Sequence, residues 1–170
     1  MMNGAYQSGE HEIPKYWPGN CFVCSRSNPA GLKLKIYMDG KGCLARCRLS
    51  DHLCGFEKIA HGGIISTIID EISAWTIITQ EAMLGVTSDM AVRYIRPVYL
   101  NTDIVFKGRI IDYSDERARV ITTVRSFDDT LLAEGKSRFV FPKLSDLARL
   151  GNMNVSVLEE FLSVYKKKDN

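Results

Sequence analysis

A fifteen-residue run that is apolar on almost every side, IISTIIDEISAWTII over residues 64–78, constrains the fold of this chain most. Isoleucine fills seven of its fifteen positions. A helix with so little polar surface must be enclosed by other elements of the fold. Asp70 stands inside this run, and an unpaired carboxylate in apolar surroundings costs several kcal/mol or takes its neutral form. Its helical neighbours are all small, so a ligand or a second chain has room to approach it: Ser66, Thr67, Ser73 and Ala74.

The residues that precede this helix, His61-Gly62-Gly63, predict its N-terminus. The first N–H groups of a helix have no partner inside the helix, so they can bind an oxyanion or a polarised carbonyl oxygen. An acid that faces such a terminus indicates hydrolysis or another reaction at a carbonyl group.

Composition restricts the class of protein. With 170 residues and 45% hydrophobic content, the chain is expected to form one domain with a real core. A net charge of +2 is too small for general affinity for nucleic acid. The N-terminal sequence MMNGAYQSGEHEIP lacks the features of a secretory signal, and the apolar helix is too short to span a bilayer. Five cysteines without a signal fit reduced thiols, so we expect a cytoplasmic protein with no nucleic-acid or membrane partner.

Periodicity predicts two strands, the apolar helix and then four more strands, which is an α+β pattern. The helix begins near Gly62 and ends before Gly85, and Asp39-Gly40 marks a hairpin turn between the first two strands. A helical segment over 144–165, interrupted at Gly151-Asn152, and a frayed basic tail complete the chain. The predicted strands are 32–38, 43–49, 87–95, 103–112, 117–127 and 130–141.

This order and several motifs resemble the hotdog fold, in particular the phenylacetate-pathway type of thioesterase and its mammalian thioesterase-superfamily relatives. The matching pieces are Cys21-Phe-Val-Cys24 with Asn28-Pro-Ala-Gly31-Leu32, HGGIISTIIDE, Ser88-Asp89-Met90 with Tyr94-Ile-Arg-Pro97, and Ala133-Glu-Gly135-Lys136. The resemblance implies an antiparallel sheet wrapped around one long central helix. It divides the chain into an N-terminal loop segment (1–20), a hotdog domain (21–142) and a C-terminal helical extension with a basic tail (143–170).

The resemblance also implies an acyl-CoA thioesterase, with coenzyme A as part of the substrate and no other cofactor. Asp70 corresponds to the catalytic base or nucleophile, and the N–H of Gly62 to the group that polarises the thioester oxygen. Thr87 is the best match for the hydroxyl that holds the acid, with Ser88 as the runner-up. Subunits of this fold pair so that the glycine of one faces the acid of the other, which predicts a homodimer or a dimer of dimers. We place His61, Gly63, His52 and Ser88 among the substrate-binding residues.

One position departs from the family. Many relatives carry Asn or Gln six residues before the histidine, and this chain has Gly55 there. Either His52 from the same loop replaces that amide, or the carbonyl has one donor fewer. The loss of one such donor typically costs roughly 10²–10³ in rate.

Three basic residues are candidates for a nucleotide patch. If Asp128-Asp129 forms a tight turn, Arg119 lies opposite Arg138, with Lys136 on the same face. Like charges directly opposite each other on a ladder repel, so the phosphates of coenzyme A would relieve the repulsion. A merely solvated face is the alternative.

Other interpretations remain open at this point. Cys21-x2-Cys24 and Cys43-x3-Cys47 have the form of metal-binding pairs, but Cys43 and Cys47 would be about 13 Å apart on a strand. We therefore expect no metal site. The functional alternatives are a non-catalytic acyl-CoA sensor, which usually carries a DNA-binding segment, and a hydratase or dehydratase of the same fold.

Overall fold

The computed structural model describes residues 9–166, and its centre is the helix α1, which extends from Gly62 to Glu81. His61 caps this helix at its N-terminus, and Ala82 ends it in the left-handed conformation. The apolar run is enclosed as expected, since nine residues of α1 are buried: Ile65, Ile68, Ile69, Ile72, Ser73, Trp75, Thr76, Ile77 and Ile78.

A seven-stranded antiparallel sheet packs against α1 in the order β1-β2-β3-β7-β8-β9-β6. β4 and β5 form a separate two-stranded sheet next to the start of α1. This arrangement confirms the α+β hotdog fold. The strands are β1 His11–Glu12, β2 Tyr37–Met38, β3 Cys43–Cys47, β4 Cys54–Phe56, β5 Ile59–Ala60, β6 Val86–Tyr94, β7 Ile104–Tyr113, β8 Arg117–Ser126 and β9 Leu131–Val140.

Two glycines allow the sheet to approach α1 closely. A Cβ atom on Gly108 would lie 2.3 Å from Thr76 Oγ1, and one on Gly135 would lie 2.3 Å from Ile69 Cγ2. No side chain fits at such distances without a shift of the helix or the strand. These two contacts therefore fix the height of α1 above the sheet, and with it the position of Asp70 relative to β6.

The predicted strand over 32–38 is wrong in extent, because only Tyr37–Met38 pairs with a neighbouring strand. Lys33 has φ +52°, which interrupts an extended strand. The N–H groups of Leu32 and Leu34 instead donate to the carbonyls of Phe22 and Val23. Leu34 and Ile36 are nevertheless buried, so this segment packs on the core while its backbone holds the preceding loop.

Two short helices follow the sheet, α2 from Leu144 to Leu150 and α3 from Val155 to Ser163. The break predicted at Gly151-Asn152 is confirmed. α3 packs on α1 through aromatic rings, with the centroid of Phe161 5.9 Å from that of Trp75. The end of the predicted basic tail, residues 167–170, lies outside the described residues. None of the helices described combines the length and the apolar composition needed to cross a membrane.

Candidate functional site

The N-terminus of α1 presents a backbone donor that the fold does not use. His61 Nδ1 accepts the N–H of Gly63 at 2.9 Å, and the carbonyl of His61 accepts from Ile64 and Ile65. No hydrogen bond among residues 9–166 involves the Gly62 N–H. His61 thus acts as a cap whose Nδ1 carries no proton, and Gly62 offers the donor that a carbonyl oxygen requires.

Tyr94 fixes the backbone around this donor. Its hydroxyl donates to the carbonyl of Gly62 at 2.8 Å and lies 2.5 Å from Ser66 Oγ. The ring belongs to β6, so the last residue of that strand contacts the first residue of α1. Sequence reasoning quoted Tyr94 as part of a motif but gave it no role.

A cavity of about 370 Å³ opens beside the same helix end. Its lining is mostly apolar, and Gly62 and Ile65 contribute the helix side. β5, the end of β6 and the segment after it form the remaining walls, which are Ile59, Ala60 and residues 94–98. An apolar cavity next to an unused N–H suits an acyl or pantetheine chain whose carbonyl meets the helix terminus.

Asp70 lies further along α1 and is held by β6. Thr87 Oγ1 donates to Asp70 Oδ1 at 2.7 Å, which is the only hydrogen bond to this carboxylate within residues 9–166. Ser66 and Thr67 do not bind the acid, because their hydroxyls donate to the carbonyls of Gly62 and Gly63. The carboxylate is only partly buried, so it remains accessible from one side.

Ser88, the alternative to Thr87, points elsewhere. Its hydroxyl donates to the carbonyl of Arg138 at 3.2 Å, and its side chain is exposed. Of the two candidate hydroxyls, the structure therefore brings Thr87 to Asp70 and places Ser88 against β9.

Gly62 and Asp70 of one chain are too far apart to act on one carbonyl. Eight residues separate them, which corresponds to about 12 Å along the helix axis at 1.5 Å per residue. Asp70 is also absent from the residues that line the cavity. A site that uses both groups requires two chains.

The loop that should supply a second carbonyl donor does not reach the cavity in this chain. His52 is exposed and its Nδ1 lies 3.1 Å from Ser50 Oγ, and it is not among the described residues that line the cavity. A Cβ atom on Gly55 would lie 2.8 Å from His61 Cα. Glycine is thus required at this position by the close approach of β4 to the helix cap, and an amide side chain does not fit without displacing His61.

The register predicted for the basic residues is confirmed, with Arg119 directly opposite Arg138. A bulge near Arg125 accompanies a loop slightly longer than the predicted turn and leaves this pair in register. Each arginine also has an acidic neighbour on its other side. Arg119 Nε lies 3.1 Å from Asp112 Oδ2, and Arg138 pairs with Asp89 in the ladder. These acids reduce the need for an external anion.

The face on which this basic patch lies is also defined. Lys136 and Arg138 are exposed, whereas the alternate residues Ser137 and Phe139 are buried against α1. The patch is therefore on the side of the sheet that faces away from Asp70, and its role in nucleotide binding stays a prediction.

A second cluster is formed by Cys21, Cys24 and Glu71, of which the sequence indicated the cysteine pair but not the acid. Their sulfur and carboxylate atoms all lie within 4.8 Å of one another. A hydrogen bond from the Cys24 thiol, with help from backbone N–H groups, lowers the pKa of Cys21 to about 5 despite its burial. The pKa of Cys24 is raised by its hydrogen bond to Cys21 and by burial. Burial also raises the pKa of Glu71 to about 7. The available signal was the position of Glu71, four residues before Trp75, whose indole N–H binds its carboxylate at 2.8 Å.

Parts of this chain are similar to known proteins. A family model described as the thioesterase superfamily matches residues 57–133. Over 77 residues the chain is 31% identical to the transcription factor FapR of Bacillus cereus. This match covers 45% of this chain and 38% of that protein. The chain thus spans little more than a third of the length of the curated relatives it matches.

Solved structures show the same fold. Thioesterase superfamily member 2 of zebra fish has a TM-score of 0.61 and 19% identity, over 65% of this chain and 82% of that chain. A Streptococcus mutans protein bound to acetyl-CoA has a TM-score of 0.60 and 21% identity, over 64% of this chain and 88% of that chain. With the enclosed helix and the order of the strands, these matches lead to one conclusion. The chain has the hotdog fold, and its residues 57–133 match the model of the thioesterase superfamily.

Proposed function

We propose that this protein hydrolyses acyl-CoA thioesters. The observation that carries the proposal is the pairing of an unused Gly62 N–H beside an apolar cavity with a partly buried Asp70 held by Thr87. The Streptococcus mutans structure supports the substrate class, since it contains acetyl-CoA in the same fold.

The chemistry follows from these groups. The Gly62 N–H binds the thioester oxygen and stabilises the negative charge that develops when the carbonyl carbon is attacked. As a general base, Asp70 takes a proton from the attacking water, the C–S bond breaks, and the thiolate of coenzyme A leaves and is protonated. As a nucleophile, Asp70 displaces the thiolate of coenzyme A and forms an anhydride with the acyl group, and water then hydrolyses the anhydride to the free acid and the Asp70 carboxylate. Both routes need the same contact with Thr87, which fixes one carboxylate oxygen and leaves the other toward the substrate.

We further propose that the active species is a homodimer joined through β6. This strand pairs with β9 on one side only, and within the described residues no strand covers its other edge. A nine-residue edge strand is a template for pairing with another chain. If the two β6 strands pair antiparallel about their midpoint, Thr87 of one chain lies near the partner subunit's Tyr94.

This pairing brings the two halves of the site together. Thr87 holds Asp70, and Tyr94 holds the backbone of Gly62. Neighbouring positions of Thr87 and the partner's Tyr94 therefore place Asp70 of one chain close to the helix terminus of the other. The 12 Å gap within one chain, about eight residues of helix, is bridged in this way.

The experiment is a hydrolysis screen over short, medium, long and aromatic acyl-CoAs with a thiol-trapping dye. Asp70→Asn keeps the volume of the side chain and an oxygen for Thr87, so the fold should persist while hydrolysis falls by at least about 10². Asp115→Asn, which changes an exposed carboxylate in a turn, is the matched control and should turn over normally. Normal turnover by folded Asp70→Asn would refute the assignment.

A protein that binds acyl-CoA without cleaving it is the second candidate. Two observations favour it: a relative is a transcription factor, and neither Gly55 nor His52 supplies a second donor at the cavity. Calorimetric titration with acyl-CoA separates the two functions. Tight binding with no release of thiol supports the binding protein, whereas release that depends on Asp70 supports the hydrolase.

A further inference from the structure

The cluster of Cys21, Cys24 and Glu71 has the dimensions of a metal site. Cys21 Sγ lies 3.4 and 3.6 Å from the two oxygens of Glu71. In a tetrahedral zinc site with bonds of about 2.3 Å to sulfur and about 2.1 Å to oxygen, neighbouring ligand atoms are about 3.6 Å apart. Cys24 Sγ completes a group whose atoms all lie within 4.8 Å of one another.

The surrounding structure orients these ligands. The N–H of Val23 donates to Cys21 Sγ at 3.3 Å, and the N–H of Ser25 donates to the carbonyl of Cys21. The indole N–H of Trp75 donates to Glu71 Oε1 at 2.8 Å. Metal ligands characteristically have such outer hydrogen bonds, which fix their orientation. The loop itself is held by the backbone bonds from Leu32 and Leu34 that displace the predicted strand.

Charge also favours a cation at this position. Glu71 takes part in no ion pair within residues 9–166, and Cys24 is fully buried. The two cysteines and Glu71 are each negatively charged when they bind a metal. Among the described residues, no basic side chain forms an ion pair with Glu71. Two thiolates and one carboxylate select a metal of the zinc class over magnesium or calcium, which prefer oxygen ligands.

We propose that Cys21, Cys24 and Glu71 bind one divalent transition-metal ion of the zinc class. This site is separate from the one that contains Asp70, and it does not depend on the proposed hydrolysis. The ion joins the loop around Cys21 to α1 through Glu71, and three protein ligands leave a fourth position for water. The proposal departs from our sequence-based expectation of no metal, which considered only pairs of cysteines.

The test is a metal titration of the reduced, metal-free protein. We expect one Co²⁺ per chain, with the near-ultraviolet absorption of a thiolate–cobalt bond, displacement by Zn²⁺, and a higher melting temperature with metal. Cys21→Ser should abolish most of this absorption. Glu71→Gln keeps the acceptor for Trp75 and should fold, yet lower the affinity by at least about tenfold, the smallest loss typical even of outer-shell changes.

Cys54→Ser is the matched control, because Cys54 is a free and exposed cysteine outside the cluster. This variant should bind Co²⁺ as the wild type does. The proposal is overturned if the reduced protein takes up less than one equivalent, or if Cys21→Ser and Glu71→Gln bind Co²⁺ with the affinity of the wild type. It is also overturned if the reduced protein takes up no metal while mild oxidation joins Cys21 to Cys24, which would identify a redox pair.

Discussion

Replacing Gly62 with proline removes one N–H and adds a small ring beside the cavity. Gly62 is the first residue of α1, a position where proline is favoured because the helix does not use its N–H. The preceding residue, His61, has φ −61° and ψ 131°, which is the extended conformation that a following proline requires. The cap bond from Gly63 to His61 is unaffected.

The expected magnitudes separate function from stability. Removal of one donor from an oxyanion site costs about 10²–10³ in kcat, or about 2.7–4 kcal/mol. A proline at a compatible position stabilises the fold by about 0.4–1 kcal/mol, because it restricts the unfolded chain. Gly62→Pro should therefore melt at or slightly above the wild-type temperature, while its hydrolysis rate falls by about 10²–10³. Gly62→Ala retains the N–H, and its Cβ atom would lie 3.4 Å from the Tyr94 ring, an ordinary contact.

The assay compares acyl-CoA hydrolysis by the two variants, followed by mixing Gly62→Pro with Asp70→Asn subunits. If each site takes Gly62 from one chain and Asp70 from the other, random exchange makes half of the dimers mixed, each with one intact site. About a quarter of wild-type activity should then return. No recovery despite proven subunit exchange would refute the shared site. Equal losses in Gly62→Ala and Gly62→Pro would refute the role of the N–H.

Two further variants test the contacts that position the acid. Thr87→Val should lower the hydrolysis rate by about 10–100-fold, since a hydrogen bond to a charged group is worth about 1.5–3 kcal/mol. Thr87→Ser keeps the hydroxyl and should retain most of the wild-type rate. Equal rates for the two variants would show that the hydroxyl is dispensable. Gly108→Ala should destabilise the fold by about 1–3 kcal/mol in urea denaturation, because its Cβ atom would overlap Thr76. Gly151→Ala, with its nearest neighbour at 3.3 Å, should stay within about 0.5 kcal/mol of wild type, and a similar loss in both would contradict this account of the packing.

The fold was predictable because its strongest signals are local. The apolar run of α1, the turn at Gly151-Asn152 and the alternation of the last four strands are all set by neighbours in sequence. The prediction of a strand over 32–38 was wrong because of a long-range interaction. The segment's apolar residues Leu34 and Ile36 are buried, but its backbone bonds go to Phe22 and Val23, and no local pattern contains that choice.

The candidate site was predictable only in part. The spacing from His61 to Asp70 indicated both ends of the candidate site, and the motif resemblance selected Thr87, whose hydroxyl lies 2.7 Å from the acid. The role of Tyr94 depends on the end of β6 reaching the start of α1, a tertiary contact. Gly55 illustrates the same limit, since the sequence showed a missing amide but not that His61 Cα occupies the space where a side chain would begin.

Asp70 and Glu71 show how the fold assigns different chemistry to consecutive acids. At 3.6 residues per turn, their side chains leave α1 about 100° apart. Asp70 faces β6, where a hydroxyl holds one oxygen and the other stays accessible, which is what a base or nucleophile needs. Glu71 faces the loop, where the indole N–H of Trp75 and the Cys21 thiol surround it and burial raises its pKa to about 7. A carboxylate in contact with two cysteines is placed to bind a metal ion rather than to act as the base. Both acids project from the same helix. An ion bound to Glu71 would therefore hold α1, and with it Asp70, in a fixed position relative to the loop around Cys21.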